Sequence, residues 1–313
     1  MNLLSSLRYL VALNEHKHFG RAAQACHITQ PALSNALRAL EAEFSVVIVK
    51  RDRNFGGLTP EGERVLVSAQ LMLREHAILQ QDLSGDAHLP SGPLRIAAVP
   101  TAIPILARFA AQLQARHPGI SPIVLSMSSA ELEKGLLNLS LDLALGYTER
   151  MDPFEARLKA WPQYTEHYFL LRRALAFDSD QLTIGPAVAW RDVAALPLCL
   201  LTPDMHNRTI VDAALTTAGV SVKPAIETNS ILTMVLSVVA GSVCSVMPGG
   251  LVGAVRSYRE LEALPLISPE VRTAIGFMSH AAARPSRALE AALQLAQDAN
   301  WLQHAASHSG QLL

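Results

Sequence analysis

Between Phe19 and Glu41 the chain reads FGRAAQACHITQPALSNALRALE, a segment that admits few arrangements other than two short helices packed across a sharp corner. Ala22, Ala23 and Cys26 form a small-residue face that lets a second helix approach closely, and His27 and Ile28 make the corner. Thr29 stands where an N-cap belongs. Pro31 is tolerated in the first turn because its missing N–H would have no partner there. Leu33, Leu37 and Leu40 recur at helical spacing and point inward. Gln30, Pro31, Ser34, Asn35 and Arg38 are left for the start and outer side of the second helix.

That outer side is short, polar and rich in hydrogen-bonding groups. Gln and Asn pair with adenine edges and Arg with guanine, so the pattern suits a helix-turn-helix reading the major groove. Any three-helix bundle also has spaced leucines and a polar exterior, and the following segment separates the two cases. In VVIVKRDRNFGGLTPEGERVL, the cations Lys50, Arg51 and Arg53 share a turn-rich loop with Asn54, Gly56 and Gly57. Such a wing meets phosphates without specifying sequence. Residues 1–64 carry eight Lys or Arg against six Asp or Glu in a chain of net charge −1, so local clustering matters more than the total.

Thr59 can cap a helix that runs, with Pro60 and Glu61 in its first turn, until a breaker arrives at Gly85. Val65, Leu66, Ala69, Leu73, Ala77 and Leu83 form a stripe along it. A helix this long between two domains has little of its own chain to cover such a stripe, which predicts a partner helix. Packing on the preceding domain is the alternative.

After a linker at Gly85–Pro93, apolar strands alternate with helices. Strands are predicted at 94–99, 122–127 and 141–145, with helices at 103–116 and 130–139. A second set follows: LPLCLLT at 196–202, a helix near 208–218, VSVKPAIE, a helix at 230–240, and VCSVMP. This is the pattern of parallel sheets covered on both faces, here in two lobes. The chain should cross to the second lobe near Trp161–Tyr168 and return near Leu266–Thr273, with RALEAALQLAQDANWL as one closing helix.

The order LRYLVALNEHKHFGRAAQACHITQPALSNALRALE, then KRDRNFGGLTPEGERVL, then this two-lobed segment resembles the LysR-type transcriptional regulators across essentially the whole chain. The resemblance implies an α/β protein with an N-terminal winged helix-turn-helix at 1–58 and a linker helix and hinge at 59–90. It further implies an effector-binding domain at 91–303, similar to type 2 periplasmic binding proteins, and a tail at 304–313 that is read as disordered. Its first lobe would take about 91–162 and 268–303, its second about 163–267. Double-stranded promoter DNA, a homodimer or homotetramer, contact with RNA polymerase, and a small-molecule inducer are the partners implied.

Ligands of open α/β sheets lie beyond the carboxyl ends of the strands. There the chain places Thr101, Ser128, Ser129, Thr202, His206 and Asn229. Hydroxyls beside free N–H groups at helix starts suit an anion, so a small anion or carboxylate is the expected inducer. The Thr, Ser and Asn residues among them are equally at home as N-caps. In this family, positions matching Thr101, Ser128 and Thr202 commonly touch the inducer.

Other classes fit less well. LRIAAVPTAIPILARFAAQLQARHPGI also resembles the hydrogen-peroxide-sensing branch of the family, but that redox-sensing branch needs a reactive cysteine where this chain has His206 and another near Leu215. Cys26, Cys199 and Cys244 are an odd set without metal-like spacing, expected to be reduced and in the core. No nucleophile with an adjacent base, phosphate loop or CxxC is present, so no catalytic residue, metal or cofactor is expected. A solute-binding protein without DNA function would explain the C-terminal two-thirds alone. No apolar run of eighteen residues and no signal-peptide pattern occur, which predicts a cytoplasmic protein free of the membrane.

Overall fold

The computed structural model describes residues 2–51, 55–83, 89–150, 157–175, 179–281 and 284–308. It divides into two compact units, Met1–Leu89 with Asn138–Ser140, and Pro90–Leu137 with Leu141–Leu313.

The first unit begins with α1 (Leu3–His16), α2 (Phe19–Ala25) and α3 (Gln30–Phe44). Each start is capped locally: Asn2 accepts from Ser5 N, His18 Nδ1 from Gly20 N and Arg21 N, and Thr29 Oγ1 from Ala32 N. The corner between α2 and α3 is made by His27 in the left-handed region (φ 54°). Leu7, Leu10, Leu13, Ala22, Leu33, Leu37 and Leu40 form the core. Each buried leucine is worth about 1.5–3 kcal/mol of transfer free energy, ample to fix a bundle this small.

The wing follows as a hairpin, β1 (Val49–Arg51) against β2 (Phe55–Leu58). Glu41 at the end of α3 ties it down, its Oε1 accepting from Ile48 N at 3.0 Å and Val49 N at 3.1 Å. Then comes α4 (Pro60–Leu83), 24 residues long and so about 36 Å. Thr59 caps it as expected, Oγ1 accepting from Gly62 N at 2.9 Å. The predicted stripe is divided. Leu66 and Ala69 are buried in the core of this unit, with Val65 and Leu73 packed against it, because the first turns of α4 lie over α1. Ala77 and Leu83 are exposed, as are Val67, Leu71, Met72 and Leu79 on other sides of the helix.

In the second unit β3 (Gly92–Ala98), α5 (Ile103–Arg116), β4 (Ile120–Ser126), α6 (Ser129–Leu137) and β5 (Leu143–Tyr147) follow the predicted order. The long β6 (Leu158–Arg173) comes next, then β7 (Thr183–Ile184), β8 (Val188–Ala189), α7 (Trp190–Val193), β9 (Cys199–Leu201) and α8 (His206–Thr217). The order continues with β10 (Ile226–Thr228), α9 (Ile231–Val239), β11 (Ser245–Pro248), α10 (Gly249–Ala254), β12 (Leu261–Ile267) and β13 (Arg272–His280). It ends with α11 (Arg287–Ala296) and α12 (Ala299–His308).

The sheet runs β4-β3-β5-β13-β6-β12-β7, with β11 also on β6 and β8 on β12. It is mixed rather than parallel: β3 is parallel to β4 and β5, but β13 and β6 run antiparallel to their neighbours. The cause is the double crossing, since one strand leaves the first lobe and another returns to it side by side. Residues 158–167 of β6 pair with β13, and residues 168–173 pair with β11 and β12, so one strand serves both lobes. Phe109, Phe277 and Trp301 centre the first lobe's core. The second lobe has one core on each face of its sheet, around Met234 and Met247 on one side and Trp190 and Val211 on the other.

Three expectations are corrected here. VSVKPAIE contributes only Ile226 and Glu227 to strand β10, because Pro224 has no N–H to donate and the neighbouring β9 is three residues long. The closing helix is two helices, divided where Asp298 accepts from Asn300 N and Trp301 N and starts α12 anew. Residues 304–308 of the expected tail are helical, held by Trp301 and Ala305 in the core; residues 309–313 lie outside the described residues.

Candidate functional site

On α3, Gln30, Pro31, Asn35 and Arg38 are exposed and Ser34 is half-buried, while Leu33, Leu37 and Leu40 face the core. Arg38 Nη1 donates to Asn35 Oδ1 at 3.3 Å, so the two side chains form one polar patch a turn apart. Lys50 is exposed on β1; the Arg51 side chain and Arg53 lie outside the described residues. Phe55 of β2 meets Phe19 edge-on at 6.3 Å and carries Lys17 Nζ over its ring at 5.7 Å, an aromatic brace between wing and α2 that spacing alone did not reveal.

The predicted effector residues reach the sheet's carboxyl ends by different routes. Thr101 is buried and its hydroxyl is 3.1 Å from the Tyr147 hydroxyl. Ser128 is spent on a capping box, its N and Oγ both donating to Glu131 Oε2 at 2.8 Å. The hydroxyls of Ser129 and Thr202 are buried without a hydrogen-bond partner among the described residues. His206 stands edge-on to Tyr147 at 4.8 Å, with Nε2 3.4 Å from Glu149 Oε1 and Nδ1 3.3 Å from Arg150 Nη1. Asn229 is exposed, and Ser230 caps α9 in its place, accepting from Thr233 N.

Residues not singled out from sequence tie this group together. Asn207, buried on α8, donates from Nδ2 to the Tyr147 hydroxyl at 3.3 Å. Tyr168 and Thr273 share a hydrogen bond at 3.2 Å, and Thr273 donates to Glu166 Oε2 at 3.5 Å. The one available signal was polar residues at alternate positions of an apolar strand, Tyr164, Glu166 and Tyr168. Burial raises the Glu166 carboxyl to about 8, the Thr273 hydrogen bond acts the other way, and the charge of Glu149 adds to the rise. Burial likewise pushes the Tyr147, Tyr164 and Tyr168 phenols well above their usual value.

Arg208 is a buried group rather than a solvated one. Burial opposes its charge, but hydrogen bonds to Glu227 and Asp212 outweigh that and hold its proton more tightly. The cysteines offer no redox pair. Leu198 pairs with Cys244, so Cys199, the next residue, faces the opposite side, and burial raises all three thiols. A low thiolate fraction does not favour oxidation chemistry.

A capped helix-turn-helix with a wing, joined in sequence to a two-lobed domain with polar residues where its lobes meet, defines the class of DNA-binding regulators that carry an effector domain. A family model described as the LysR substrate binding domain matches residues 87–301, and one described as the bacterial regulatory helix-turn-helix protein of the lysR family matches residues 4–63. The chain belongs to the LysR family and is a LysR-type transcriptional regulator with an effector-binding domain. It is 29% identical over 280 residues, 88% of each chain, to the DNA-binding transcriptional dual regulator OxyR of Escherichia coli strain K12. A hydrogen peroxide-inducible genes activator of Pectobacterium carotovorum is 41% identical over 103 residues, 33% of this chain and 34% of that one. Among solved structures, a full-length OxyR from Pseudomonas aeruginosa superposes with a TM-score of 0.71 at 24% identity, covering 94% of this chain and 97% of that one. CbnR in complex with its target DNA gives 0.64 at 19%, covering 97% and 99%. No described helix is long and apolar enough to cross a membrane.

Proposed function

We propose that the protein binds double-stranded promoter DNA in the cytoplasm as a homodimer or homotetramer. Gln30, Pro31, Ser34, Asn35 and Arg38 address base edges, and Lys50, Arg51 and Arg53 address phosphates. The observation that carries this reading is the outward patch of Asn35 and Arg38 on a helix whose inner face is fully spent on the core. Val67, Leu71, Met72 and Leu79, exposed along α4, favour a partner helix. Contact with RNA polymerase is part of the same reading, and no enzymatic step is proposed.

An effector held between the lobes, among Thr101, Ser128, Ser129, Thr202 and His206, would act by preferring one arrangement of the assembly, a coupling of typically about 1–3 kcal/mol. Asn229, exposed at the edge, is the least committed of the expected contacts. The anion expected from helix starts finds its cations already engaged: Arg150 with Glu133, Arg208 with Asp212 and Glu227. Redox sensing, which the names of the relatives suggest, is not favoured because Cys199 and Cys244 face apart.

Fluorescence anisotropy against the DNA adjoining its gene, at about 150 mM salt with excess random competitor, tests the reading, since non-specific binding weakens steeply there. Binding that survives the competitor is expected. Equal affinity for random DNA would refute it.

A further inference from the structure

The strand shared by both lobes carries a polar face inside an apolar sheet. Tyr164, Glu166 and Tyr168 alternate along β6 and so lie on one side. Ile275 and Thr273 of β13 stand opposite Tyr164 and Glu166, and Tyr147 of β5 stands opposite Ile275 on its other flank. Glu166 is wholly buried, at 0% exposure. Thr273 satisfies its Oε2, whereas Oε1 has no hydrogen-bond partner among the described residues. The Tyr164 hydroxyl is also buried and unpartnered in the same sense, as are those of Ser129 and Thr202. Buried polar atoms are almost always matched, so Glu166 Oε1 and the hydroxyls of Ser129, Tyr164 and Thr202, which can donate or accept, call for a partner.

The nearby charges say what kind. Arg208 is held by Asp212 and Glu227, Arg150 by Glu133, and His206 touches Glu149. None of the described ion pairs or hydrogen bonds gives Glu166 a cation. A carboxylate effector finds the nearby cations already engaged and would hold the Glu166 proton on more firmly still, whereas a cation favours the charged carboxylate. An ammonium brings three donors and no acceptor.

We propose that Glu166 determines the specificity of the effector site, and that the effector carries a small ammonium or guanidinium group bonded to Glu166 Oε1 and the Tyr164 hydroxyl. The proposal rests on the regulator reading above and replaces the anion with a cation. Position also matters: Glu166 sits where β6 passes from one lobe to the other, so a ligand held there touches the element both lobes share.

The test is thermal unfolding of the full chain, without DNA, against ethylammonium, putrescine and agmatine and against acetate, propionate and succinate. A ligand that binds only the folded state raises Tm by an amount that grows with the logarithm of its concentration over Kd. At least one amine is expected to raise Tm and the carboxylates to leave it unchanged. Glu166→Gln is expected to weaken that amine about 10- to 100-fold, the span of a charge-assisted hydrogen bond. Should that variant fail to fold, Tyr164→Phe serves instead, with a loss of about tenfold expected. A shift by carboxylates alone, no shift by any amine, or an amine shift unchanged in both variants would each overturn the proposal. Promoter selectivity of the unliganded chain is scored separately. Its loss refutes the regulator reading, whereas a carboxylate that shifts both Tm and the DNA footprint keeps that reading and removes only the ammonium.

Discussion

Asn207 Nδ2, from the second lobe, donates to the Tyr147 hydroxyl of the first at 3.3 Å, and the same hydroxyl is 3.1 Å from Thr101. One buried phenol is therefore the meeting point of a predicted effector residue and the start of α8. Tyr147→Phe leaves both partners short of a hydrogen bond, at a cost of about 1–3 kcal/mol. Urea unfolding of the second unit should show that loss. An unchanged midpoint would mean the network contributes nothing to holding the lobes.

Arg38→Ala should weaken promoter binding by about 1–3 kcal/mol and relax preference at one base pair. Lys50→Ala should instead weaken all sequences alike and reduce the salt slope by about one. Anisotropy titrations at several salt concentrations separate the two. Equal losses for Arg38→Ala on promoter and random DNA would contradict its base-reading role.

Glu166 makes stability depend on pH with a particular sign. Its folded value is about 8, above the ordinary carboxylate range of the unfolded chain. Across that interval the folded state binds a proton the unfolded state has released, so stability falls as pH rises from the ordinary carboxylate value towards about 8 and levels off beyond it. Glu166→Gln should flatten the slope. Parallel profiles for the two proteins, from urea unfolding at about pH 5.5 and pH 8, would contradict the assignment.

Gly62 lies in the first turn of α4, where a Cβ would strike the Ile48 carbonyl oxygen, a backbone atom. Gly62→Ala should push α4 away from the wing and lower both the Tm of the first unit and its DNA affinity. The expected destabilisation is about 1–3 kcal/mol, the usual cost of overpacking. A Tm rise, as helix propensity alone predicts for an exposed site, would show that the wing yields freely.

Leu71→Glu with Met72→Glu places two charges on the exposed side of α4. Sedimentation velocity should then show a smaller species than the parent chain. The same oligomer in both would locate the interface elsewhere.

The DNA-binding half was legible because its signals are local. Thr29, Pro31 and the leucines of α3 act within a few residues of one another, and the structure places each where its spacing puts it. The effector site was legible only in outline. Thr101 and Thr202 follow strands, so topology brings them to the right end, but that the Thr101 hydroxyl is bonded depends on Tyr147, far away in sequence. Ser128 illustrates the limit, since its place after a strand does not tell that Glu131, three residues on, engages both its N–H and its hydroxyl. Glu166 was missed because the alternation of Tyr164, Glu166 and Tyr168 marks one face of a strand without telling that it is buried, which follows from pairing with a segment more than a hundred residues later.

Sixteen residues of strand, with a register shift at Gln163, make β6 at most about 53 Å long, a single beam laid under both lobes. Lobes joined by slack tethers can swing independently; lobes built on one beam move by bending or twisting it, and its backbone hydrogen bonds, to β13 in the first lobe and to β11 and β12 in the second, resist that. The effector domain is thus a stiff torsion element, and its answer to a ligand should be a small rotation carried undiminished along its whole length.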